Sequence, residues 1–145
     1  KNMADERKIK ILSIEDDEFM RIFLKDVFWI HGMKGKDNFE FSIVGDFKKA
    51  REVMSDPANK PDVILLDLMM ADKEGGMVDR EAGFHFLEEI KNNKDTKNIK
   101  AIIFSGFSDK EIKEKVEKLG AEKFLVKGEY LPTELINDIH EVVKG

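Results

Sequence analysis

The chain contains no cysteine, only three prolines, and a single tryptophan and a single tyrosine among its 145 residues. The missing thiols exclude disulfides, thiolate metal sites and cysteine nucleophiles together, and they suit a reducing cytosol. No apolar stretch approaches the length that spans a bilayer, since the run Val63-Ile64-Leu65-Leu66 stops at Asp67. Lys1 to Lys10 alternates charged and apolar residues, which is not the pattern of a secretory leader. There is no basic excess either: 25 Lys and Arg face 30 Asp and Glu, a net charge of −5, which disfavours a phosphate-backbone binder. What is present is 41% hydrophobic and 38% charged residues, enough to build the core of one compact domain with a heavily charged exterior. Residues 1–7 read as a tail outside that domain and 8–145 as the domain itself.

Short apolar runs alternate with longer amphipathic ones. Lys8–Ile14, Phe39–Gly45, Asp62–Leu66, Ile99–Phe104 and Glu122–Val126 read as five strands, short, rich in Ile and Val, and bounded by polar residues or Gly. The third and fourth show little alternation, as central parallel strands covered on both faces do. Between them the pattern is helical. Glu18–Ile30 repeats Phe19, Ile22, Phe23, Val27 and Ile30 as its apolar stripe, with Trp29 expected in packing, and Gly32 suits its end. Asp46 is placed to cap Phe47–Met54, and Gly83–Ile90 carries Phe84, Phe86, Leu87 and Ile90. Ser108 to Glu111 matches a capping box opening a helix that Gly120 closes. A last helix starts near Pro132 and turns Leu135, Ile136, Ile139, Val142 and Val143 inward. Five strands alternating with five helices imply an α/β fold, a doubly wound five-stranded parallel sheet with right-handed crossovers.

In such sheets ligands gather outside the carboxyl ends of the strands. Those ends carry Glu15-Asp16-Asp17, then Asp67, then Ser105-Gly106, then Lys127. Any one of them reads as a helix cap, Asp17 most readily. As a set they do not, because Asp67 follows four apolar residues of a central strand, where a carboxylate is costly unless it is paired or holds a metal. Converging acids would repel one another, and Mg²⁺, which takes oxygen ligands and keeps several waters, is the natural remedy. An ammonium about 4 Å from a carboxylate contributes about 4 kcal/mol at an effective dielectric of 20, before desolvation. Carboxylates serve as nucleophiles in aspartyl-phosphate chemistry, where catalysis is mostly alignment and charge neutralisation.

The strings ILSIEDDEFMR, PDVILLDLMM, AIIFSG and GAEKFLVKG, in that order, resemble the receiver domains of two-component response regulators over about residues 8–143. The resemblance implies the flavodoxin-like receiver fold with strand order 2-1-3-4-5. It implies Asp67 as phosphoacceptor, with Ser105 and Lys127 as its catalytic partners, and a Mg²⁺ site formed by Glu15, Asp16, Asp67 and the Met69 carbonyl. Ser105 and Phe124 match the switch positions. The implied activity is a phosphorelay signalling module, phosphorylated on Asp67 from the phosphohistidine of a sensor histidine kinase or histidine phosphotransfer protein. It is not an enzyme beyond catalysing its own phosphorylation and dephosphorylation. It would be cytoplasmic, monomeric or weakly dimeric, without direct nucleic-acid or membrane contact, and without an attached output domain.

Three features depart from the family pattern. Ala71 stands where a Pro is usual. The interval from Asp67 to Ser105 is longer by about eight residues, placed in Ala71–Ala82, a lengthening that costs a flexible loop little. That insertion reads as a tolerated surface loop or as a flap over the site, and its acids Asp72, Glu74 and Asp79 lack a calcium-loop pattern. Gly128 replaces the usual Pro after Lys127, so a trans peptide and a more mobile loop are expected there. His31, His85 and His140 lack ligand spacing, and Lys110–Lys118 alternates with Glu as a solvated helix face does. The competing reading is a phosphohydrolase that forms an aspartyl phosphate; such enzymes of the haloacid-dehalogenase type want a second Asp two residues after the nucleophile, where Met69 stands.

Overall fold

The computed structural model describes residues 8–33, 38–69, 80–106 and 109–145. Ten elements alternate: β1 (Ile9–Ile14), α1 (Glu18–Met33), β2 (Phe39–Val44), α2 (Phe47–Ser55), β3 (Val63–Asp67), α3 (Arg80–Asn92), β4 (Lys100–Ser105), α4 (Lys110–Lys118), β5 (Lys123–Val126) and α5 (Pro132–Lys144). The strands form one parallel sheet in the order β2-β1-β3-β4-β5, as expected. β3 is buried at every position and β4 at all but its first, as central strands covered on both faces must be. Side chains alternate across the sheet, so Leu12, Ile14, Ile64, Leu66 and Ile103 pack with α2, α3 and α4. Ile11, Val63, Leu65, Ile102 and Phe104 pack with α1 and α5 on the other face.

The caps explain several element boundaries. The Asp46 carboxylate accepts the Lys49 amide at 2.7 Å and starts α2. α4 is capped by Asp109, which accepts the Glu111 and Ile112 amides; Ser108, the expected cap, lies outside the described residues. Gly120 ends that helix with φ 106°, while Ala121 N–H donates to the Val116 carbonyl and Gly120 N–H to that of Glu117, the paired bonds of a left-handed helix end. Pro132 opens α5, where Glu134 accepts the Leu131 amide.

Three expectations are corrected. In α1 the buried face is Leu24, Val27 and Phe28, with Phe28 stacked on Phe41 at 4.6 Å and edge-on to Phe39. Phe19, Ile22, Trp29 and Ile30 are exposed. The helix is apolar on several faces, so periodicity alone admits two stripes, and the aromatic wall of β2 selects the one that holds Phe28. α3 begins at Arg80, three residues before Gly83, and so takes in Arg80–Ala82 of the insertion; the insertion's other residues, Asp72, Glu74 and Asp79 among them, lie outside the described ones. In α5 Val142 is buried but Val143 is exposed, because consecutive helical residues point about 100° apart.

Candidate functional site

β1, β3, β4 and β5 end side by side, and the residues that follow converge at the carboxyl edge of the sheet. Glu15 directly follows β1, Asp67 closes β3 and Ser105 closes β4; all three are buried. Lys127 follows β5, and its amide donates to the Ser105 carbonyl at 2.7 Å, which sets it beside the neighbouring strand. From there the ammonium lies 2.9 Å from Glu15 Oε1 and 2.9 Å from Asp67 Oδ2. The other Asp67 oxygen, Oδ1, accepts the Met69 amide at 2.9 Å. Both oxygens are therefore tied, and the carboxylate has one orientation.

Asp16 joins from the exposed side. Glu15, Asp16 and Asp67 each offer a carboxylate oxygen within 4.8 Å of the others. Asp17, by contrast, turns back to cap α1, accepting the Met20 amide at 3.0 Å. The structure thus brings Glu15 and Asp16 together with Asp67 and leaves Asp17 at the head of α1. Burial raises the Glu15 carboxyl to about 7, with Asp67 adding to the shift and Lys127 opposing it. Asp16 is raised by the same two causes, burial first and then Asp67. Burial lowers the affinity of Lys127 for its proton, but Glu15 and Asp67 more than offset this, and its pKa lies above the ordinary lysine value.

With all three carboxylates ionised, the cluster with Lys127 carries a net charge of −2, which one divalent cation would balance. All-oxygen donors, two of them deeply buried, fit a hard ion such as Mg²⁺. Among the described residues no histidine joins the cluster; His140 instead rests against Phe39 at 5.7 Å, and His85 is exposed.

A family model, that of the response regulator receiver domain, matches residues 11–140. The chain is a receiver domain of this family. Solved structures agree in fold. The signal receiver domain of a DNA-binding response regulator from Colwellia psychrerythraea 34H is 27% identical, with a TM-score of 0.75 over 95% of this chain and 100% of that one. A response regulator from Chloroflexus aurantiacus J-10-fl is 18% identical, with a TM-score of 0.77 over 96% of this chain and 100% of that one. The receiver domain of a sensor histidine kinase from Pseudomonas aeruginosa PAO1 is 16% identical, with a TM-score of 0.73 over 96% of this chain and 100% of that one; its structure holds a magnesium ion in the active-site cleft.

Relative to this receiver site, sequence reasoning missed Arg21, Gly83 and Tyr130. Arg21 Nη1 donates to the Glu15 carbonyl at 3.1 Å and anchors the residue that β1 delivers. Gly83 lets α3 lie against the backbone next to Asp67, since a Cβ there would stand 2.7 Å from the Leu68 carbonyl oxygen. Tyr130 packs on Phe104 and Phe23, and its buried hydroxyl has no hydrogen-bond partner among the described residues; burial first, and Glu15 second, raise its pKa. A glycine inside a helical pattern was the one signal available for Gly83. The peptide bonds among the described residues are trans, and Gly128 follows Lys127 with φ 83°.

Proposed function

We propose that this receiver domain of two-component signalling accepts a phosphoryl group on Asp67 and answers with a change of surface. The observation that carries the reading is Lys127, held 2.9 Å from both buried carboxylates, Glu15 and Asp67, beside an exposed third, Asp16. Glu15, Asp16, Asp67 and the Met69 carbonyl would hold Mg²⁺. When bound, the ion neutralises phosphoryl oxygens and supplies the missing charge. An Asp67 oxygen attacks the phosphorus of a phosphohistidine on a sensor kinase or histidine phosphotransfer protein. The P–N bond breaks, its electron pair returns to the imidazole, and that ring takes a proton. Lys127 and the Met69 amide hold the carboxylate for attack, a contribution of alignment rather than of covalent chemistry. The chain catalyses only its own phosphorylation and dephosphorylation, in the cytoplasm.

Ser105 and Phe124 would carry the change outward. Ile103 and Phe124 are register partners; Ile103 lies in the core under α4 and Phe124 packs against that core, while Ser105, two residues beyond Ile103, shares the face. A phosphoryl group that draws the Ser105 hydroxyl towards it frees room for the half-buried Phe124 ring, and the surface around α4 and β5 follows. The test is acetyl phosphate with Mg²⁺, read by intact mass. One phosphoryl adduct is expected, absent in Asp67→Asn and under EDTA. An adduct that persists in Asp67→Asn refutes the assignment.

A further inference from the structure

The sheet has a second charged edge, opposite the acidic one. Ile9 begins β1, Lys100 begins β4 and Asp62 directly precedes β3, and together they border a cavity of about 830 Å³. Five lysines line it: Lys8, Lys60, Lys94, Lys100 and Lys144. Among the described lining residues only Asp62 and Asp95 oppose them, and the Asp62 carboxylate is already engaged by the Lys10 amide at 2.9 Å. The Lys60 ammonium is fixed by the Asp95 carbonyl at 2.6 Å. The ammonium groups of Lys8, Lys94, Lys100 and Lys144 pair with no described residue.

Lysines commonly gather where helices end, because each helix carboxyl terminus has about half a negative charge. α3 and α5 both end on this edge, and together they would satisfy about one lysine. Subtracting that and the two aspartates leaves about two positive charges in a concavity, on a chain whose net charge is −5. Ile9, Pro61, Ile99 and Val143 supply apolar surface beside the lysines. The volume lies in the range of small-molecule sites, and the mixture of ammonium groups and apolar wall suits an anion with an organic part. β4 spans six residues, about 16 Å from first to last, so this edge is separate from the Asp67 cluster.

We propose that this cavity binds a small oligophosphate, with the lysines on the phosphates and the apolar wall beside any organic part. The site stands independently of phosphorylation at Asp67. The experiment is a ¹H–¹⁵N titration of the full chain in EDTA with tripolyphosphate and, separately, ATP. Saturable shifts are expected at the amides of Ile9, Ile99, Lys100 and Val143, with Asp67 and Ser105 unmoved. The triple variant K94Q/K100Q/K144Q should weaken binding by more than about tenfold, and K110Q/K113Q/K118Q, the same charge change on α4, by less than about twofold. Tighter binding of ATP identifies a nucleotide as the source; equal binding identifies the oligophosphate group alone. Shifts centred on Lys127, equal losses in the two variants, or no saturation by either probe at millimolar concentration would overturn the proposal.

Discussion

Glu15→Gln should make the metal-free protein more stable at neutral and alkaline pH, although it removes a charged residue of the site. The Glu15 carboxyl is fully buried, and burial together with Asp67 raises it from 4.5 to about 7. The folded state therefore holds this proton more tightly than the unfolded chain. Its contribution to stability is fully present below 4.5 and is lost as pH rises through about 7. At 1.36 kcal/mol per pH unit, the ionised carboxylate costs the folded state about 3 kcal/mol above pH 7. Gln is neutral throughout and still offers Lys127 an oxygen. In EDTA the variant and the parent should match near pH 4.5 and diverge by up to about 3 kcal/mol at pH 8. With a urea slope of about 2 kcal/mol per molar, that is a midpoint rise of about 1.5 M. Urea unfolding at several pH values measures it, and the differences between the curves cancel other titrating groups. Saturating Mg²⁺ should reverse the ranking, because the parent gains binding energy that the variant forfeits. A variant whose advantage does not grow between pH 5 and 8 would refute the electrostatic account of the cluster.

Three further changes test other parts of the structure. Gly83→Ala would gain about 1 kcal/mol of helix propensity but places a Cβ 2.7 Å from the Leu68 carbonyl oxygen; a net loss of about 1–2 kcal/mol is expected by urea midpoint, and a net gain would refute the close approach. Tyr130→Phe removes a buried hydroxyl that has no partner among the described residues and should be neutral or stabilising by up to about 1 kcal/mol, while in the parent phenolate absorbance should appear only as the chain unfolds in alkali. Gly128→Pro, which restores the family's usual residue, should cost more than about 1 kcal/mol and slow phosphorylation by acetyl phosphate, because φ 83° is closed to proline; an unchanged urea midpoint would refute this.

The central strands were legible because parallel strands buried on both faces leave unbroken apolar runs, whereas their order in the sheet came only with the receiver resemblance; the candidate site stood out because charge at the end of such a run has few structural explanations. Asp67 after Val63–Leu66 and Lys127 after Phe124–Val126 are of that kind. The orientation of α1 was not legible. Its sequence offers Phe19-Ile22-Phe23 and Leu24-Val27-Phe28 to the same period, and only the partner surface of Phe39 and Phe41 on β2 decides between them. Gly83 and Tyr130 escaped for a related reason, since their roles lie in distances to Leu68, Phe104 and Phe23, which are remote in sequence or set by backbone approach. Arg21 is only the last residue of the string ILSIEDDEFMR in the sequence, yet its guanidinium ties down the Glu15 carbonyl.

The energetics of the proposed switch can be bounded from the same contacts. Moving a two-state equilibrium from 1:99 to 99:1 takes about 5.5 kcal/mol of differential stabilisation. A hydrogen bond to a charged group contributes about 1.5–3 kcal/mol. The ammonium of Lys127 is shared between Glu15 and Asp67, so its turn towards a phosphoryl oxygen exchanges one bond for another and gains less than a new one. Ser105 lies buried at the end of β4, and its hydroxyl, redirected to the phosphoryl group, adds a second contribution of the same order. Both together reach about 5.5 kcal/mol only at the upper end of their range, and either alone falls short. On this reading Ser105 and Lys127 act jointly, and the switch depends on Phe124 occupying the room Ser105 vacates.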